Sequence, residues 1–122
     1  MADNMLFIGW GAAIPGREER SLEVFNEAVG FYGRMQQEGR IEKLDIVLLT
    51  PHGGGLEGYM ELHGTVAQLN ALKEDDEFRR ILVDANLVVQ ELGLVDGMTN
   101  EGVAREMSRY QQAIGQIAAA AG

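Results

Sequence analysis

Two short runs of this sequence alternate polar side chains that could do acid–base chemistry with apolar ones. In the run 58–64 the polar positions share one parity, as Tyr59, Glu61 and His63. The run 43–49 has the same pattern, with Asp45 among its polar positions. Successive side chains of a strand point to opposite faces, so both runs are predicted strands with one apolar and one mixed face. Any chemistry is expected on the mixed face.

A hairpin of these two strands would assemble a candidate catalytic group. The predicted register opposes Asp45 with His63, Val47 with Glu61, and Leu49 with Tyr59. The alternation sets only the parity of this register and leaves a slip of two residues open. A carboxylate beside an imidazole orients the ring and favours its protonated form. We therefore predict His63 as a general base or acid, Asp45 as its partner and Glu61 as a further catalytic carboxyl group.

Two aromatic residues are predicted to position a substrate. Tyr59 supplies a hydroxyl that could donate a hydrogen bond to a carbonyl group, and Trp10 offers a flat wall for an aromatic ligand. The alternative interpretation is structural. In that interpretation Asp45, Glu61 and His63 form a hydrogen-bonded polar patch, and Trp10 belongs to the core.

No motif predicts a cofactor or a metal. His52 and His63 could meet one ion with Asp45 or Glu61, but no recognised ligand spacing supports this set. Haem would need an axial ligand, for which His63 is the only good candidate. The glycines after His52 resemble the oxyanion loop of lipase-like hydrolases, but the sequence lacks the Gly-x-Ser-x-Gly motif that such enzymes need. The segment 9–11 lacks the third glycine of a dinucleotide-binding fingerprint. We therefore expect neither cofactor nor metal.

Composition excludes several classes of partner. The chain has 122 residues and a net charge of −9, with 10 basic residues among 19 acidic ones. This balance argues against nucleic acid and anionic membranes, and no apolar run is long enough to span a bilayer. There is no cysteine, and the leader 1–4 carries an acid and no basic residue, so a cytoplasmic location is expected. The length predicts a single domain over 1–122.

The predicted elements follow the order strand, helix, strand, strand, helix, strand, helix. Predicted strands cover 5–11, 41–50, 58–64 and 87–95, and predicted helices cover 17–38, 65 to about 85 in two pieces, and the segment from 100 onward. The apolar residues of 87–95 suit a helix nearly as well as a strand. The first helix carries an apolar stripe of Leu22, Phe25, Val29 and Tyr32. This order predicts an α+β fold with a ferredoxin-like βαββαβ antiparallel sheet, helices on one face and an added C-terminal helix.

An uncovered sheet face predicts a homodimer. Two helices cover only one face of four strands, and a bare apolar face on a monomer is a liability that a second copy removes. The last helix has a narrow apolar stripe with alternating spacings of four and three, formed by Val103, Met107, Tyr110, Ile114 and Ile117. Such a stripe is typical of helix–helix packing.

In element order the chain resembles the dimeric α+β-barrel superfamily. The resemblance rests on Gly64 and Thr65 leading into Leu69 and Leu72, on the turn 75–78, and on the bridging pattern between 41 and 62. It implies a ferredoxin-like sheet that forms a barrel with its copy. Members of the superfamily include cofactor-free monooxygenases, lactone isomerases, haem-dependent enzymes and proteins without known activity.

Two functions remain open, and the sequence does not decide whether the chain is an enzyme. The first is a cofactor-free enzyme of monooxygenase or isomerase type, which acts on a small aromatic molecule in a pocket between sheet and helices. The second is a non-catalytic dimer that binds a small ligand or a protein. An open interior of several hundred Å³ would favour the first.

Overall fold

The computed structural model describes residues 2–121, which form a single four-stranded sheet with four helices. In chain order the elements are β1 Asn4–Trp10, α1 Glu18–Gln37, β2 Lys43–Leu48, β3 Gly58–Gly64, α2 Val66–Glu74, α3 Asp76–Asn86, β4 Gly93–Met98 and α4 Glu101–Ala121. All neighbouring strands are antiparallel, in the order β2-β3-β1-β4. The predicted α+β class and ferredoxin-like arrangement are confirmed. The sheet is open, with β2 and β4 as its edges.

The hydrophobic core lies on one face of this sheet, beneath α1, α2 and α3. Leu6 and Ile8 of β1 and Met60 and Leu62 of β3 are buried there. They are buried because alternate residues of a strand share a face, and this face is the one that the helices cover. The opposite face carries the remaining parity of each strand and has no covering element among residues 2–121. We call it the open face.

The buried side of α1 differs in part from the predicted stripe. Tyr32 is buried as predicted, but Leu22 is 61% exposed. Phe31, which is not part of the predicted stripe, is buried. Phe31 and Tyr32 pack edge to face, with ring centroids 5.4 Å apart. The helix contacts both the sheet and α3, so its buried side is wider than a single stripe and is centred nearer its C-terminal half.

The fourth strand was predicted too early in the chain. The segment from Leu87 to Val89 closes the end of α3, where its backbone N–H groups bond to carbonyls of the last helical turn. Val88 packs into the core at 4% exposure instead of joining the sheet. The strand begins only at Gly93, after Glu91 has taken a positive φ of 54°. Val88 and Val89 have the composition of a strand, but here they close the end of a helix.

The β2–β3 register is shifted by two residues from the predicted one. The opposed pairs are Val47 with Tyr59, Asp45 with Glu61, and Lys43 with His63. Each residue keeps its predicted face because a slip of two preserves the alternation. The connection also begins earlier than expected, with the Leu49 amide bonded to the Glu57 carbonyl at 2.9 Å.

Helix α4 is held to the rest of the chain only at its beginning. Asn100 takes a positive φ of 51° and its amide donates to the Ala2 carbonyl at 2.7 Å, while Arg105 pairs with Asp3 at 3.0 Å. Gly102 is buried against the Asp3 carbonyl, with no room for a Cβ. After this turn the predicted stripe is exposed along its whole length. Among residues 2–121, no helix is both long and apolar enough to cross a membrane.

A capping box at Thr65 begins α2 and gives a stability prediction. The Thr65 hydroxyl accepts from the Gln68 amide at 3.1 Å, and the Gln68 side chain accepts from the Thr65 amide at 2.9 Å. Thr65→Ala should lower the free energy of unfolding by about 1 kcal/mol, because an N-terminal amide of α2 loses its partner. Urea denaturation measures this change. Thr65→Ser keeps the hydroxyl and should stay within about 0.5 kcal/mol of the parent; an equal loss in both variants would contradict the capping role.

Candidate functional site

The covered face of the sheet contains a cavity of about 600 Å³. It lies between the sheet and helices α1 and α3, with further walls from the segments that follow β1 and α3. Its deepest lining is apolar and buried, and consists of Ile8, Val24, Ala28, Met60, Ile81 and Val88. A volume of this size is typical of sites for small organic ligands.

Tyr32 brings one polar group into this apolar lining. The residue is 1% exposed, and burial raises the pKa of its hydroxyl above the ordinary value. Desolvation disfavours the phenolate, so the hydroxyl stays protonated at all physiological pH values. A protonated phenol can donate one hydrogen bond to an acceptor on a bound molecule.

The mouth of the cavity is acidic and apolar. Glu18 and Glu57 line it, together with the exposed side chains of Leu22 and Leu48. Among residues 2–121, no lysine or arginine belongs to the lining. Two carboxylates beside the entrance repel anions and leave neutral molecules unaffected.

Trp10, near the end of β1, forms an aromatic wall of the cavity. Its ring packs edge to face against Phe25, with centroids 5.9 Å apart. The indole lies over Gly58 on the neighbouring strand, where an added Cβ would come within 2.7 Å of Trp10 Cζ2 and 2.9 Å of the Val47 carbonyl oxygen. Gly58 is therefore required for the orientation of this wall.

The predicted catalytic residues lie together on the open face. His63 Nε2 is 3.2 Å from Asp45 Oδ2 and 3.2 Å from Glu61 Oε1. The three side chains are 17%, 37% and 29% exposed, in the order His63, Asp45 and Glu61. Lys43 adds a positive charge at the edge, 3.5 Å from Asp45 Oδ2. We call Asp45, Glu61 and His63 the polar cluster.

Tyr59 and Trp10, the two predicted substrate-binding residues, lie on opposite faces of the sheet. Tyr59 stacks on Phe7 across the open face, with ring centroids 5.1 Å apart. Trp10 lines the cavity on the covered face. The sheet therefore separates Trp10 from the polar cluster, and a single small molecule cannot contact both. His52 does not belong to the polar cluster. It is exposed in the loop after β2, and its Nδ1 lies 3.0 Å from the Thr50 carbonyl oxygen.

Sequence reasoning expected a pocket between sheet and helices, but of its lining it named only Trp10 and it did not identify Tyr32. The cavity is formed by α1, α3 and the sheet, so its existence depends on distances between elements that are far apart in the chain. One signal was available: Tyr32 is the only hydroxyl-bearing residue in the predicted stripe of α1. A buried tyrosine usually has its hydroxyl directed at a partner or a wet space.

Comparison with known proteins shows the fold and no family. No protein-family model matches the chain, and no curated protein matches it. Among solved structures, a dimeric protein of unknown function and ferredoxin-like fold from Bacteroides fragilis is 12% identical over 78% of this chain and 95% of its own, with a TM-score of 0.58. Hydroxynitrile lyase from Passiflora edulis is 11% identical over 83% of this chain and 97% of its own, with a TM-score of 0.61.

A candidate antibiotic biosynthesis monooxygenase from Chloroflexus aurantiacus is also similar. It is 10% identical over 80% of this chain and 93% of its own, with a TM-score of 0.54. Identities this low establish a shared fold only. The resemblance to ferredoxin-like, dimeric α+β-barrel proteins that was based on element order is thereby confirmed at the level of the fold.

The contact between Gly58 and Trp10 gives a test of the cavity wall. Gly58→Ala should displace the indole and shift the emission of the single tryptophan, because the new methyl group occupies space that the ring fills. Fluorescence spectra of the folded variants measure the shift. Gly33→Ala is the matched control, since an added Cβ there meets nothing within 4 Å and should leave the emission unchanged. An unchanged spectrum in Gly58→Ala would contradict this packing.

Proposed function

We propose that this chain forms a homodimer in which each subunit binds a small, neutral aromatic molecule between the sheet and helices α1 and α3. The observation that carries this proposal is the cavity of about 600 Å³ with its apolar lining. The cavity opens to solvent at the exposed side chains of Leu22 and Leu48, so a molecule can enter it. An accessible apolar cavity of this size with one buried hydroxyl supports a ligand site.

The lining supports an aromatic and uncharged ligand. Trp10 and Phe25 present ring faces and edges against which a planar molecule can stack. Tyr32 can donate a hydrogen bond to one oxygen of that molecule. Glu18 and Glu57 at the mouth disfavour a carboxylate or phosphate group. Phenols, quinones and related ring compounds satisfy these conditions.

Catalysis is the finer version of this proposal. A cofactor-free monooxygenase or isomerase that used His63 as its base would need its substrate on the open face, because the polar cluster is turned away from the cavity. The fold is shared with a hydroxynitrile lyase and a candidate monooxygenase, but one fold serves many unrelated functions. The cavity therefore supports ligand binding more directly than it supports catalysis by His63.

The homodimer is supported by apolar surface that this chain does not cover. Phe7, Val47 and Tyr59 are only half-buried on the open face, and Val95 is 57% exposed beside them. An added Cβ on Gly93 of β4 would meet nothing within 4 Å, so this part of the open face permits close approach of a second sheet. The structural neighbour from Bacteroides fragilis is dimeric. A cytoplasmic location belongs to the same proposal, since the chain has no cysteine and needs no disulfide.

Binding of 2-naphthol tests the ligand proposal. Isothermal titration should show one molecule bound per subunit, with 2-naphthoate binding at least about tenfold more weakly because of the acidic mouth. Tyr32→Phe should weaken 2-naphthol about fivefold, which corresponds to the loss of one hydrogen bond, and should leave naphthalene unaffected.

A cavity-filling change provides the matching control. Ala28→Leu places a larger side chain in the lining, so it should weaken naphthol and naphthalene alike, whereas Tyr32→Phe should discriminate between them. Thermal denaturation of each variant shows that it is folded. No detectable binding of any of the three ring compounds, or a preference for 2-naphthoate, would contradict the proposed ligand class.

Sedimentation tests the dimer. The chain should sediment as two subunits at micromolar concentration, and Val95→Glu should shift it toward one subunit because a carboxylate would be buried in the interface. Val83→Glu is the matched control, since Val83 is 61% exposed on helix α3, away from the open face. A parent chain that sediments as a single subunit would contradict the proposed assembly.

A further inference from the structure

His63 holds a buried polar atom without a well-aligned partner. Its Nε2 is inaccessible to solvent, and none of the described residues forms a hydrogen bond with it. Two carboxylate oxygens nevertheless lie 3.2 Å from it, one from Asp45 and one from Glu61. A single N–H cannot point at both oxygens, since a hydrogen bond weakens steeply away from linearity. Native structures rarely leave such an atom unsatisfied, so the arrangement requires an explanation.

The spacing of these atoms fits a shared cation. Zinc binds nitrogen and oxygen ligands at about 2.0–2.2 Å, which sets neighbouring ligand atoms about 3.0 Å apart at octahedral angles and about 3.4 Å at tetrahedral ones. The nitrogen–oxygen separations of 3.2 Å lie between these values. One donor atom from each of the three residues lies within 4.8 Å of the other two. We propose that Asp45, Glu61 and His63 bind one divalent transition-metal ion of the zinc type.

The choice of ion follows from the donor atoms. One imidazole nitrogen with two carboxylates suits borderline ions such as Zn²⁺, Fe²⁺ or Mn²⁺. Ca²⁺ takes six to eight oxygen ligands, and Mg²⁺ seldom uses imidazole, so both fit this set poorly. Three protein ligands leave at least one position for water, as in sites where the metal stays open to a further ligand.

The observed register of β2 and β3 brings these three residues together. Glu61 and His63 share a face of β3 because they are two residues apart, and Asp45 lies directly opposite Glu61 on β2. Asp45 is therefore diagonal to His63, and both carboxylates reach the same ring nitrogen from one side. The absence of a recognised ligand spacing in the sequence had argued against a metal. Ligands on paired strands obey no such spacing along the chain, since the register brings them together.

Charge around the cluster also favours a cation. The two carboxylates outweigh Lys43, which is 3.5 Å from Asp45 Oδ2 and 64% exposed. Its long side chain can turn toward solvent when an ion enters. Lys43 is thus expected to weaken metal binding without blocking it.

Zinc titration of the chelator-treated full chain tests this proposal. Calorimetry should show one Zn²⁺ per chain, and Mg²⁺ should not compete. The near-isosteric variants Asp45→Asn and Glu61→Gln, and His63→Ala, should each weaken Zn²⁺ by more than about tenfold. Lys43→Met should strengthen it about threefold, because a competing positive charge is removed. Co²⁺ gives a second readout, since its visible absorption depends on the ligand set and should be lost in the same three variants.

Two control variants separate this site from adventitious zinc. His52→Ala removes the other histidine of the chain, and Asp96→Asn removes an exposed carboxylate that pairs with Lys73 on the covered side. Both should bind Zn²⁺ as the parent does. Thermal denaturation without metal shows whether each variant is folded.

Two outcomes would overturn the proposal. One is failure of the parent chain to bind stoichiometric Zn²⁺, and the other is a loss of affinity that follows His52 instead of His63. The polar cluster would then be a structural polar patch on the open face. Binding of 2-naphthol is measured on the other face of the sheet, so either outcome leaves the ligand proposal standing.

Discussion

A four-stranded sheet has two faces, and the helices of this chain cover only one of them. Leu6 and Leu62 on the covered face are almost fully buried, while Val95 on the other is 57% exposed. Strand alternation assigns each side chain to one face and thereby to one of two environments. The cavity belongs to the covered face, and the polar cluster with the proposed dimer surface belongs to the open face.

This division keeps charge away from the cavity. A carboxylate without a partner in an apolar interior would cost several kcal/mol, whereas a neutral hydroxyl costs far less. Asp45 and Glu61 lie on the open face, where their side chains keep 37% and 29% of their exposure. The deep part of the lining contributes the neutral Tyr32 hydroxyl. A molecule in the cavity would therefore meet hydrogen-bond donation and ring contacts and no fixed charge, apart from the carboxylates at the mouth.

Features that follow from the periodicity of strands and helices could be predicted from the sequence. Features that depend on distances between separate elements could not. Alternation over β2 and β3 was sufficient to place Asp45, Glu61 and His63 on one face, and the structure brings them together. It could not determine the register, because a slip of two leaves every face unchanged. The valines at 88 and 89 resemble a strand but close a helix. A pocket between sheet and helices was expected, but its size and lining could not be predicted, since no local signal reports the separation of α1 from α3.

Near the end of β1, each face of the sheet carries an aromatic ring that packs on a glycine. Gly9 lies under the Phe7 ring on the open face, and Gly58 lies under the Trp10 indole on the covered face. Each missing Cβ lets an aromatic ring lie flat against the strands. Trp10 follows Gly9 directly in the chain, so a single backbone layer separates the proposed dimer surface from the cavity wall. A partner that pressed on Phe7 would act on the same strand end that holds the indole in place.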